Sequence, residues 1–113
     1  MARAIPKKWL ADTITVETGY TYDSDRNKIA TTDTVSNVAV TNIKRMQADG
    51  NGAKVLVDSL LLICDSRSTL TGGTVFVPVI NKGITWNGNK YTVQSVTPFR
   101  VKGVLHHYEA YLV

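Results

Sequence analysis

Residues 83–113, GITWNGNKYTVQSVTPFRVKGVLHHYEAYLV, contain two short runs of alternating apolar residues that meet at Asn87-Gly88. Both central residues of a type I′ turn need a positive φ, which Asn and Gly tolerate, so this dipeptide is a strong signal for a β-hairpin. The run from residue 104 to residue 113 alternates again and is predicted to form a third strand. One face of that strand is predicted to carry Val104, His106, Tyr108, Ala110 and Leu112.

Further apolar runs, each bounded by turn residues, recur upstream of this unit. Residues 13–17, 35–44 and 55–64 are predicted to be strands, because they are rich in Val, Ile, Leu and Thr. In total the pattern predicts five to seven short strands and no long helix. We therefore expect one all-β domain over residues 1–113, either a small antiparallel β-barrel or a β-sandwich.

Polar, turn-rich stretches are predicted to connect the strands. Residues 19–34 and 66–82 are expected to be long loops, the first either mobile or the end of a long hairpin. Residues 45–54, with two glycines, are expected to be a third loop. Near the start, Pro6 suits the first turn of a helix, so one helical turn is predicted to lay Trp9 and Leu10 on the sheet.

The segment 75–80 combines apolar side chains with a proline. Proline cannot donate a ladder hydrogen bond, which argues against a central strand and leaves an edge strand or a projecting arm. Exposed apolar side chains on an arm indicate a partner, often another copy of the same protein. The residues of this candidate subunit interface are Val75, Phe76, Val77, Pro78, Val79 and Ile80.

The single cysteine, Cys64, lies inside an apolar run and is predicted to be a buried structural thiol in a reducing compartment. The first residues lack the apolar core of a secretion signal, and no apolar run approaches the length of about 18 residues that a membrane span needs. The sequence therefore predicts a protein made in the cytosol and used or assembled there, without a membrane partner.

His106-His107 is the one pair of residues that invites a catalytic or metal-binding interpretation. Neighbours on a strand point to opposite faces, so the two imidazoles cannot share one ion without a bulge. His107 and Glu109 share a face and would make an acid–base couple, but the sequence offers them no nucleophile. Calcium-loop and phosphate-loop spacings are missing as well. We expect a protein that is not an enzyme, with no catalytic residues, cofactor or metal.

The net charge of +4 comes entirely from the second half of the chain. Residues 1–65 carry eight basic and eight acidic residues, whereas residues 66–113 carry five basic residues and Glu109 alone. A basic half is compatible with nucleic acid, with an acidic protein face, or with an ordinary solvated surface.

Binding of single-stranded nucleic acid is the main alternative function that the sequence suggests. Small β-barrels that bind oligonucleotides present aromatic and basic residues on a sheet face. The aromatic residues available for stacking are Trp86, Tyr91, Phe99, Tyr108 and Tyr111. Three of them, Trp86, Tyr91 and Tyr108, fall on faces assigned to the core, so core packing explains them better.

Three motifs together resemble a known family. They are I-P-K-K-x-L (residues 5–10), G-I-T-W-N-G-N-K-Y-T-V (residues 83–93) and H-H-Y-E-x-x-L (residues 106–112). In these the chain is similar to the minor capsid, or head–tail connector, proteins of tailed bacteriophages that infect Gram-positive bacteria. The closing H-H-Y-E is the most distinctive of the three.

The resemblance implies a structural virion protein of the stopper or head-completion type, assembled in the host cytoplasm. Copies would form a ring below the portal, under a portal or adaptor protein and above a tail protein, to close the filled head and join the tail. The resemblance gives no catalytic residues. In such a ring the basic half would face packaged DNA through Lys90, Arg100 and Lys102, a contact with phosphates that is independent of sequence.

Overall fold

Seven β-strands make up most of what the computed structural model describes, residues 5–48 and 50–113. They are β1 (Asp12–Tyr22), β2 (Lys28–Ala48), β3 (Lys54–Cys64), β4 (Thr69–Leu70), β5 (Gly83–Trp86), β6 (Asn89–Val101) and β7 (Val104–Leu112). Every pairing between them is antiparallel, which confirms the predicted all-β class. Residues 1–4 of the predicted domain and Asp49 of a predicted loop lie outside the described residues.

The strand pairings form a closed ring. Hydrogen bonds join β1, β5, β6, β7, β3 and β2 in that order, and β2 pairs again with β1, while β4 adds to β2. The ring closes because β2 is 21 residues long and pairs with two strands of the ring, β1 up to Val38 and β3 from Ala39 onward. The change of partner occurs beside Asn37, which has a φ of 61° within a register shift, so a bulge bends the strand there.

The hairpin predicted at Asn87-Gly88 is present. Asn87 has a φ of 52° and Gly88 a φ of 82°, as a type I′ turn requires, and the turn connects β5 to β6. Ile84 pairs with Tyr91 across the hairpin. This local signal therefore sets the register of two strands of the ring.

The core lies inside the ring and follows the period-2 alternation expected of strands. Its buried members are Leu10, Ile14, Val16, Val35, Val38, Leu60, Leu62, Cys64, Phe76, Ile84, Val93, Ala110 and Leu112. Trp86, Tyr91 and Tyr108 pack against this cluster, as predicted, so these three rings are engaged with the core.

Two predicted loops are largely strand. Residues 19–34 form the outer part of the β1–β2 hairpin, which confirms the alternative of a long hairpin end and corrects the interpretation as a long loop. Its turn is held by Asp23, whose Oδ1 accepts hydrogen bonds from the backbone N–H of Asp25 and of Asn27 at 2.9 and 2.8 Å. Residues 45–48 likewise continue β2 and Lys54 begins β3, so the loop predicted over 45–54 was too long.

The face predicted for the third strand is correct at one end only. Ala110 and Leu112 are fully buried and Tyr108 packs on the core, but Val104 is 69% exposed. The pairing of β6 with β7 shifts register between Phe99↔His107 and the next pair, which leaves His106 as an extra residue on β7. This bulge breaks the alternation, and beyond it the hairpin has left the core.

The predicted turn near the start of the chain is a 3-10 turn, Lys7–Trp9, and only one of its two apolar residues is buried. Leu10 is 2% exposed and belongs to the core, whereas Trp9 is 63% exposed, so its predicted position on the sheet was wrong. A single tight turn cannot turn two successive side chains toward the same surface.

The domain is less compact than its length suggests. Its radius of gyration is 15.9 Å, against about 13 Å for a typical domain of this length. Three hairpins, β1–β2, β2–β3 and β6–β7, continue as two-stranded ribbons past the residues that touch the core. These ribbons account for the extended shape and carry much of the exposed apolar surface.

Candidate assembly surface

The segment 75–80 lies against the body of the domain and alternates between two directions. Phe76 and Pro78 are buried, and the N–H of Phe76 donates to the carbonyl of Ser68 at 2.8 Å. The other four members of the predicted interface, Val75, Val77, Val79 and Ile80, are each about half exposed. We call residues 75–80 the arm; it is a packed segment, and neither predicted alternative, an edge strand or a projecting arm, describes it, because it does not project and pairs with a strand only through a single bridge from Val75 to Thr69. Its role as a subunit interface stays a prediction, and only its four exposed residues are accessible for that role.

A cleft of ≈ 240 Å³ opens beside the arm. Its walls are mostly apolar and come from β1, from the arm and from the core residues beneath it. Glu17 and Lys82 are its charged lining residues. We call this opening the arm cleft, and its apolar lining makes it a place where another apolar side chain would be covered.

The three basic residues predicted to face DNA do not form one patch. Lys90 lies at the beginning of β6, beside the Asn87-Gly88 turn, and Arg100 and Lys102 lie at its other end, at the tip of the β6–β7 hairpin. Ten residues of strand separate Lys90 from Arg100, roughly 30 Å. Their contact with DNA stays a prediction, and it would need two separate points of approach.

Apolar side chains face each other across the exposed ribbons. Met46 and Leu56, on β2 and β3, are directly paired and are 58% and 60% exposed. At the tip of the β6–β7 hairpin, Val101 pairs with Val104, and both are exposed. Cross-strand apolar pairs stabilise a sheet by covering each other, but here solvent reaches them on the outer side, which is typical of surfaces that receive a partner.

Neighbouring side chains on a strand can lie on the same side only where a bulge interrupts the alternation, and β7 has such a bulge at His106. Nδ1 of His106 lies 2.8 Å from Nδ1 of His107, and Nε2 of His107 lies 2.8 Å from Oε2 of Glu109. The ring of His107 also stacks on Phe99, with centroids 4.7 Å apart. Both imidazoles therefore lie side by side at the base of the β6–β7 hairpin.

This histidine pair is arranged for hydrogen bonding along a line and not for chelation. His106 and Glu109 approach opposite nitrogens of His107, so the three side chains do not converge on one point. Across residues 5–48 and 50–113, no group of three His, Cys, Asp or Glu side chains is placed to hold a metal ion. The contacts orient the His107 ring over Phe99, which is a structural role; the expected lack of enzymatic activity stays a prediction.

The contacts predict the tautomers of both rings. Since the carboxylate of Glu109 only accepts, Nε2 of neutral His107 must carry its proton, and Nδ1 of His107 must then accept from Nδ1–H of His106. We expect nitrogen-15 spectra of the neutral rings to show His106 protonated on Nδ1 and His107 on Nε2. Two Nε2–H tautomers would contradict this geometry.

Cys64 is fully buried beside Tyr108, its partner across β3 and β7. Burial raises the pKa of its thiol to about 12, and the neighbouring Asp65 carboxylate adds to the rise. The predicted buried structural thiol is confirmed. We expect a thiol reagent at pH 8 to leave native Cys64 unmodified for hours and to modify it at once in denaturant, because the thiolate is the reactive form. Fast labelling of the native protein would contradict the burial.

A polar cluster that sequence reasoning missed holds the turn between β3 and β4. We call it the Asp65 corner; its members are Asn37, Asp65, Arg67 and Ser68. Arg67 donates from Nε and Nη2 to Oδ2 of Asp65 at 3.1 and 2.5 Å. Burial alone would raise the pKa of Asp65, but the hydrogen bonds and charge of Arg67, with the charge of His106, hold it below the ordinary value.

Hydrogen bonds of the Asp65 corner connect three segments of the chain. Oγ of Ser68 donates to the carbonyl of Asn37, and Nδ2 of Asn37 donates to the carbonyl of Arg67 at 3.1 Å. Nη2 of Arg67 also donates to the carbonyl of Ile5 at 2.6 Å. The bulge of β2, the β3–β4 turn and the beginning of the described chain are therefore connected at one point. The sequence 65–68, DSRS, signals only a turn.

The chain matches no known protein-family profile and none of the curated proteins with which it was compared. Among the described residues there is no helix of the length and apolar character needed to cross a membrane.

Proposed function

We propose that this chain is a structural virion protein of the head–tail connector of a tailed bacteriophage. It assembles as a ring below the portal, closes the filled head and joins the tail, with a portal or adaptor protein above it and a tail protein below. The observation that carries the proposal is the placement of apolar side chains on the outside of the arm and of the extended hairpins, on a small all-β body. Surfaces of this kind are covered by neighbours in an assembly.

Two further features support a role in assembly over a role in catalysis. The resemblance in residues 5–10, 83–93 and 106–112 points to connector proteins, and the structure uses the last two motifs to build strands. The most distinctive motif, H-H-Y-E, forms the bulge that sets the root of the β6–β7 hairpin. Its residues therefore shape the scaffold on which an interface is presented.

The alternative is a small barrel-type protein that binds single-stranded nucleic acid. Three of the five aromatic residues available for stacking pack on the core, and the basic residues lie at opposite ends of β6. A continuous platform of aromatic and basic residues is what such binding uses. The observed arrangement favours assembly over nucleic-acid binding.

The test is to stop translation of this gene in its parent phage and to image the lysate by electron microscopy. We expect filled or leaking heads without tails beside finished free tails, since the junction would be incomplete. Normal infectious particles would overturn the connector proposal. Steeply salt-dependent binding of the purified protein to oligonucleotides would then favour the alternative.

A further inference from the structure

We propose that two copies of this chain associate through the open edge of β3, by antiparallel pairing of residues 54–58 with the same residues of a second copy. A twofold axis beside Leu56 relates the two strands, so the β2–β3 ribbons of both copies join into one four-stranded sheet. The pairing goes beyond the proposed function and does not rest on it. It is carried by an unpaired strand edge whose charges complement those of its own second copy.

The edge of β3 is open over residues 54–58. Within the described part of the chain these residues pair with β2 on one side and with no strand on the other, since β7 first pairs with β3 at Leu60. The β2–β3 turn at residues 50–52 bounds the open edge at its other end. Such an edge presents backbone N–H and C=O groups to which another strand can add. The space along it fits residues 54–58 of a second strand.

The open edge lacks the features that usually prevent pairing between edges. Natural edge strands are blunted by prolines, by bulges or by lysines. Residues 54–58, KVLVD, contain no proline, and their pairing with β2 runs without a register shift. The one lysine, Lys54, is balanced by Asp58, so the segment has no net charge to repel a second copy.

Charge selects the register of the pairing. Lys54, Leu56 and Asp58 share one face of β3, because they are two residues apart, and all three are exposed. In an antiparallel pair centred on Leu56, each Lys54 lies opposite Asp58 of the second copy, and opposite charges across strands are stabilising. A register shifted by two residues would place Lys54 opposite Leu56 and Asp58 opposite Gly52 in the turn. Only the centred register pairs both charges.

The neighbouring residues of β2 extend this pattern across the sheet. Met46 pairs with Leu56 within one copy, and both are more than half exposed. The twofold axis therefore produces a continuous apolar row, in which the Met46–Leu56 pair of one copy meets that of the other and loses water-exposed area. Nζ of Lys44 lies 3.4 Å from Oδ1 of Asp58. Each Asp58 would thus lie between Lys44 of its own copy and Lys54 of the second copy.

Other edges of β2 do not complement themselves in this way. Residues 41–48, TNIKRMQA, contain two basic residues and no acidic residue, so two copies paired there would bring like charges together. On the outer part of β2, Lys28 and Asp33 are an odd number of residues apart and lie on opposite faces of the strand. Charge therefore favours β3 over β2 as the edge that pairs.

The contact is small, because each copy contributes one short strand edge. A dissociation constant on the order of 10 µM to 1 mM is expected, so the chain is monomeric at concentrations well below this range. A twofold contact closes at two copies, whereas a ring repeats a contact between two different surfaces. The β3 pair is therefore a state of the free chain and differs from the contact between neighbours in a ring.

The first test reverses one charge in each of two variants, Lys54→Glu and Asp58→Lys. Each variant alone opposes like charges at both ends of the edge, so its association should be at least tenfold weaker than that of the wild type, by sedimentation velocity at up to about 1 mM. In an equimolar mixture, the introduced acid of one variant faces the introduced base of the other, and the unchanged Asp58 faces the unchanged Lys54. Mixed dimers should therefore form about as readily as wild-type dimers.

The second test measures the register by disulfide formation. Leu56→Cys places two thiols opposite each other across one strand spacing, about 5 Å, which a disulfide can bridge. Met46→Cys is the matched control, since Met46 is equally exposed and pairs with Leu56. Three strand spacings, roughly 14 Å, would separate the two copies of that cysteine. Diamide should cross-link Leu56→Cys into dimers and leave Met46→Cys monomeric, and Cys64 is buried in both.

Circular dichroism and melting temperature, unchanged in all four variants, serve as the folding control. A wild-type chain that stays monomeric, a mixture that associates no better than its components, or equal cross-linking of Leu56→Cys and Met46→Cys would each overturn the β3 pair. The phage experiment is independent of these measurements. Tailless heads with a monomeric chain would remove the β3 pair and keep the connector role, and normal particles with the expected dimers would do the reverse.

Discussion

Asp65→Ala is expected to lower the free energy of unfolding by about 3 kcal/mol at neutral pH. The Asp65 side chain is 6% exposed and accepts from both the backbone and the guanidinium of Arg67. Its removal leaves the Arg67 charge without its carboxylate and loosens the turn between β3 and β4. For a domain of this length the melting temperature should fall by roughly 10–15 °C. Urea denaturation measured in parallel gives the free energy directly.

Asp58→Ala is the matched control. Asp58 also has a basic partner, with Nζ of Lys44 at 3.4 Å, but the two side chains are 85% and 67% exposed. An exposed pair of this kind contributes little, so the change should stay within about 0.5 kcal/mol. Equal losses of unfolding free energy in Asp58→Ala and Asp65→Ala would show that the burial of the Asp65 corner does not contribute to stability, and would contradict the expectation.

The pH dependence of the Asp65 effect follows from the direction of its pKa shift. A carboxyl whose pKa is lower in the folded state contributes stability that is present above its unfolded pKa, about 3.9, and is lost as pH falls through the folded pKa. The gap between wild-type protein and Asp65→Ala should therefore be constant near neutral pH and shrink in acid. A gap that widened in acid would contradict the assigned ion pair.

The sequence predicted the parts of the fold that depend on local rules. The Asn87-Gly88 turn needs only two residues that tolerate a positive φ, and the buried strand segments need only alternation. The burial of Leu112 followed from the same alternation, and the burial of Cys64 followed from its position inside an apolar run. These features depend only on residues that lie close together in the sequence, so the sequence alone is enough to predict them.

For the outer part of the β1–β2 hairpin the sequence left a long hairpin end and a loop as alternatives, because this part of the hairpin does not bury a face. Residues 19–22 and 28–34 are paired strands, yet both of their faces are largely solvated, so no apolar alternation identifies them. Only the partner strand provides their hydrogen bonds, and that partner is not visible in a window of sequence. Polar composition therefore predicts a loop as readily as a hairpin end.

The bulges and the Asp65 corner depend on contacts distant in the sequence. His106 is displaced because β6 and β7 differ by one residue in length between their turn and the core. The corner joins residues from Ile5 to Ser68, which share no motif. The members of such clusters are brought together by the pairing of distant strands, so neither spacing nor composition reveals them.

Phe76→Ala is expected to lower the free energy of unfolding by roughly 3–4 kcal/mol, because Phe76 is 9% exposed and belongs to the core cluster. Val77→Ala, one residue away on the exposed side of the arm, should change it by no more than about 0.5 kcal/mol. Equal effects at both positions would mean that the arm does not alternate as described.

The difference between the two positions matters for the assembly proposals. A charge at Phe76 would unfold the arm and reveal nothing about its partner. A charge at Val79 keeps Phe76 and Pro78 in place and alters only the surface that a second copy would meet.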